Sequence, residues 1–104
     1  MGTSPNIAKL GQMASGHLCI EFSETVTWDS FPEFASLIMA RIGATVEKRE
    51  DAVEMRIWSL NLRGVDLRLV YEDYPSQVSL ESTSVEADEC LKQIADQCTS
   101  PDGS

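Results

Sequence analysis

The sequence predicts an α+β two-layer sandwich: a mostly antiparallel five-stranded sheet with two helices on one face, in the order β-α-β-β-β-β-α. Three observations carry this. Four segments alternate apolar and polar residues with period two, the mark of a half-buried strand. Two others repeat apolar residues at helical spacing. Short connections join the last four strands, which makes them an antiparallel meander.

The first strand is His17–Phe22, with Leu18, Ile20 and Phe22 on one side and His17, Cys19 and Glu21 on the other. A polar loop holding Trp28 leads to a helix over Phe31–Ile42, whose stripe is Phe34, Leu37, Ile38 and Ile42. Ser30 and Glu33 have capping-box spacing, and Pro32 lies in the first turn, where its missing N–H costs nothing. Gly43 follows as a left-handed stop.

The second strand is Ala44–Glu50, with a charged outer face. In the third, Val53–Leu60, the reading puts Val53, Met55 and Ile57 inward and Glu54, Arg56 and Trp58 outward. Gly64 supplies positive φ to a tight turn. Val65–Glu72 follows, with Val65, Leu67, Leu69 and Tyr71 inward and Asp66, Arg68 and Val70 outward. A turn at Tyr74-Pro75-Ser76 leads to Gln77–Thr83, with Val78 and Leu80 inward. The second helix, Val85–Cys98, shows Ala87, Leu91, Ile94 and Cys98 on one side and a capping box at Thr83 and Glu86.

The 104 residues make one domain, placed at residues 17–98. Residues 1–16 read as a flexible arm with a helical turn near Ile7–Met13, and 99–104 as a disordered tail. At 42% hydrophobic and 24% charged residues, the chain has enough apolar surface for a core without a disulfide or metal staple. Seventeen acidic against eight basic side chains give a net charge of −9. Such a chain repels phosphates and anionic lipid, so nucleic acid and membrane are not expected partners. Cys19, Cys90 and Cys98 are odd in number and fit no closed disulfide framework. Cys90 and Cys98, eight residues apart on a helix, are about 12 Å apart, beyond the limit of about 7 Å for a bridge. Reduced thiols in a cytoplasm are the natural reading. No apolar run is long enough to span a bilayer, and the N-terminus lacks a signal-peptide pattern.

Three runs resemble a family of small acidic bacterial proteins of unknown function. They are Trp28-Asp29-Ser30-Phe31-Pro32-Glu33-Phe34-Ala35, Ile42-Gly43-Ala44 and Leu67-Arg68-Leu69-Val70-Tyr71-Glu72. The resemblance covers about Gly16 to Cys98. It implies a bacterial, cytoplasmic, single-domain protein and brings no activity, cofactor or catalytic residue.

Four groups are candidates for function. Arg56, Trp58, Arg68 and Val70 read as an apolar-plus-arginine patch on the wet sheet face, the composition of a protein-docking surface; the plainer reading is an aromatic shielding the sheet. His17, Cys19 and Glu21 share a strand face and read as a nucleophile with its base or as metal ligands. Against that, neighbours on one strand face stand almost 7 Å apart. Glu47, Glu50, Asp51 and Glu54 read as an acidic surface for a basic partner, or as a solvated charged edge. Asp29 and Glu33 already occupy the positive end of the first helix, which disfavours phosphate there. No dinucleotide, P-loop, zinc-protease or nucleophile-elbow motif is present. A non-enzymatic binding or accessory module is the leading expectation, with no cofactor or metal.

Overall fold

In the computed structural model, which describes residues 7–22, 26–73 and 76–99, the elements are β1 (Ile7–Gln12), β2 (Leu18–Phe22), α1 (Phe31–Ile42), β3 (Thr45–Asp51), β4 (Met55–Leu62), β5 (Val65–Asp73), β6 (Ser76–Ser82) and α2 (Val85–Thr99). Each expected helix and strand is present within two residues of its expected bounds. The sheet has six strands rather than five. The additional one, β1, forms from Ile7–Gln12, a segment whose composition predicts a flexible arm with a helical turn. Ile7 and Ala8 are adjacent apolar residues and Gly11 has no side chain, so the segment lacks a clean two-residue alternation and the strand is fixed by pairing rather than by propensity. The expected turn at Tyr74-Pro75 and the tail beyond Thr99 lie outside the described residues.

Every neighbouring pair is antiparallel, in the order β1-β2-β6-β5-β4-β3. The meander β3-β4-β5-β6 lies on one side, and β2 returns to pair with β6. Three register rows build the helix-facing side: Asp51–Arg56–Tyr71–Val78–Phe22, Arg49–Trp58–Leu69–Leu80–Ile20–Leu10 and Val46–Leu60–Leu67–Ser82. Leu60, Leu67, Leu69, Tyr71, Val78, Leu80 and Ile20 have no exposed surface. Burying one such side chain is worth about 1.5 to 3 kcal/mol, so this layer dominates stability.

Both helices contribute to the same core. α1 buries Phe31, Phe34, Ala35, Ile38 and Ile42; α2 buries Ala87, Leu91, Ile94 and Ala95. Leu37, expected in the α1 stripe, is turned partly outward, and Phe31 and Ala35 complete the stripe instead. Phe31 stands edge-on to Trp58 at 5.0 Å, and Phe34 edge-on to Phe22 at 5.4 Å. Edge-to-face rings add to the area they bury.

The strand β4 corrects the expected register. Trp58 is 5% exposed and faces the helices with Leu60 and Leu62. Arg56 shares its parity, and Ile57 points the other way. Val53, expected inward, is 89% exposed between β3 and β4. Because strand side chains alternate strictly, one misplaced residue inverts the whole set. Three large apolar groups at Trp58, Leu60 and Leu62 outweigh Met55 and Ile57 on the opposite parity.

The helix ends also differ in detail. Gly43 closes α1 at φ 81°, its N–H bonded to the Met39 carbonyl, as the sequence predicts. Gly64, with Arg63 also at positive φ, makes the two-residue β4–β5 turn, and its N–H donates to Asn61 Oδ1. Ser30 makes no side-chain cap bond to α1; its hydroxyl accepts from the Thr27 amide at 2.9 Å instead. The α2 cap is Ser84 rather than Thr83, accepting from the Ala87 amide at 3.1 Å.

Candidate functional site

With both helices on one side, the other side of the sheet carries its own rows. They are Lys48–Ser59–Arg68–Glu81–Cys19–Gly11 and Glu50–Ile57–Val70–Ser79–Glu21–Lys9. Among the described residues no helix or strand crosses them. Val70 and Cys19 are nevertheless only 5% and 8% exposed. A shallow depression of about 220 Å³ lies over Cys19, bounded by Met13, Glu21, Glu72, Gln77, Ser79 and Glu81. Three carboxylates at its rim make it net acidic, with Arg68 beside Glu81 in register.

The expected docking patch is therefore divided. Arg68 and Val70 are on the open face. Trp58 and Arg56 are on the helix side and cannot share a surface with them. Arg56 lies at the edge of the core, its guanidinium 4.0 Å over the Trp28 ring and its Nε 3.7 Å from Asp51. Trp58 Nε1 donates to the same Asp51 at 3.2 Å, and Arg49 covers the Trp58 ring at 4.8 Å. One carboxylate thus serves two partners, and two cation–π contacts close the end of the core. Trp28, read from sequence as an anchor before α1, does this by stacking on Arg56 and meeting Tyr71 edge-on at 6.4 Å.

His17, Cys19 and Glu21 also separate. Cys19 and Glu21 face the open side. The His17 ring turns to α2, its Nδ1 3.0 Å from Asp88 Oδ2. The other Asp88 oxygen accepts the Leu18 amide at 2.9 Å. The Ser82 hydroxyl first, then the Leu18 amide and the His17 ring, bring the Asp88 carboxyl from 3.8 down to about 2. The Ser82 proton is also within reach of the Ser84 carbonyl at 2.8 Å, so the Leu18 and His17 contacts are the steadier part. Asp88 was not singled out from sequence; its one visible signal is an acid in the first turn of a helix, which dipole complementarity alone explains. Its role as a clasp on β2 needs the packing of α2 across the sheet.

The acidic group Glu47, Glu50, Asp51 and Glu54 is not one cluster. Glu50 pairs with Lys48 at 2.8 Å on the open face, while Asp51 serves Trp58 and Arg56 on the other. Among the described residues no three His, Cys, Asp or Glu side chains are gathered as metal ligands. A cavity of about 80 Å³ between Ile42, Leu62, Val65, Cys90 and Ile94 is far below the size of an ordinary small-molecule site. No helix among the described residues is long and apolar enough to cross a membrane.

Comparison with curated proteins and with solved structures finds no match. A family model does match, over residues 8–99, which takes in β1 from its second residue and every later element. The chain belongs to the family described as Protein of unknown function (DUF3630).

Proposed function

We propose that this chain is a non-enzymatic protein-binding module that holds a basic partner on the open face of its sheet. The observation that supports it is a sheet face that no helix or strand among the described residues covers, with the half-buried Ile57 beside Val70 and a rim of Glu21, Glu72 and Glu81. A net charge of −9 steers a basic partner toward it and repels acidic competitors. Arg68 gives the face one positive anchor, of the residue type enriched at binding hot spots. A cytoplasmic setting belongs to the same proposal, supported by an odd number of cysteines, and a bacterial one by the resemblance of the three sequence runs.

The test is affinity capture at low and high salt with the full chain and with a Glu21→Gln, Glu72→Gln, Glu81→Gln variant. These substitutions remove charge at almost constant shape. The variant should lose the partner that the native chain holds at low salt, while Glu89→Gln on α2 should keep it. Equal capture by the triple variant overturns the proposal.

A further inference from the structure

We draw no further inference here: the strongest candidate, the small cavity that Ile42, Leu62, Val65 and Ile94 line between α1 and α2, has Arg63, Cys90 and Gln93 beside it but nothing in the structure that shows what fills it.

Discussion

Trp58 decides how the molecule is read. Its ring packs edge-on to Phe31, its indole N–H is held by Asp51, and Arg49 caps its face. Replacing it with alanine removes all three and leaves a cavity between α1 and the sheet. The expected cost is about 3 to 5 kcal/mol, read as a lower midpoint in urea. Trp58→Phe should keep the ring contact and lose the hydrogen bond, costing about 1 to 2 kcal/mol. If Trp58 were a surface hot spot, alanine would change stability by less than about 0.5 kcal/mol. The residue was legible in principle. Counting bulk by parity from Met55 to Leu62 puts Trp58, Leu60 and Leu62 together on the core side, whereas reading from Val53 starts the alternation inside a turn. Asp88 was not legible, because its contacts with His17 and Leu18 join residues 71 and 70 positions away.

At the level of elements, periodicity was enough wherever a segment buries one face by itself. α1 appears with the expected bounds because the Phe31–Ile42 stripe and the Gly43 stop agree. β1 escaped detection because its position depends on the partner strand β2 and not on its own pattern. The same distinction separates the two helix caps. Thr83 and Ser84 are adjacent residues of similar capping strength, and only the path of the chain out of β6 chooses Ser84. Ser84→Ala should therefore destabilise the protein by about 1 kcal/mol, with Thr83→Ala close to neutral. Ser30→Ala tests the other helix: its hydroxyl bonds the Thr27 amide of the preceding loop, so its loss should act on the loop's exchange protection more than on α1. Thermal melts of the three variants, with amide exchange for the third, separate these outcomes.

Over the whole molecule, charge dominates the response to solution conditions, and two effects of opposite sign meet in acid. The Asp88 carboxyl titrates near 2 in the folded chain against 3.8 for the ordinary group. A lowered folded value means the clasp contributes fully above about pH 4 and is lost as pH falls toward 2. Asp88→Asn should melt below the native chain at neutral pH, with the gap closing across that window. The other effect is self-repulsion. Seventeen acids and eight bases give −9 near neutrality, and a compact body of radius of gyration 12.9 Å holds those charges closer than the unfolded chain does. Screening relieves the folded state more than the unfolded one. Raising NaCl at pH 7 should therefore raise the melting temperature by a few degrees, despite weakening pairs such as Lys48–Glu50, which are exposed and contribute little. The same salt series run near pH 4.4, where the sequence places the isoelectric point, should give almost no rise. A melting temperature that falls with salt at pH 7 would mean that specific ion pairs, and not net charge, govern stability.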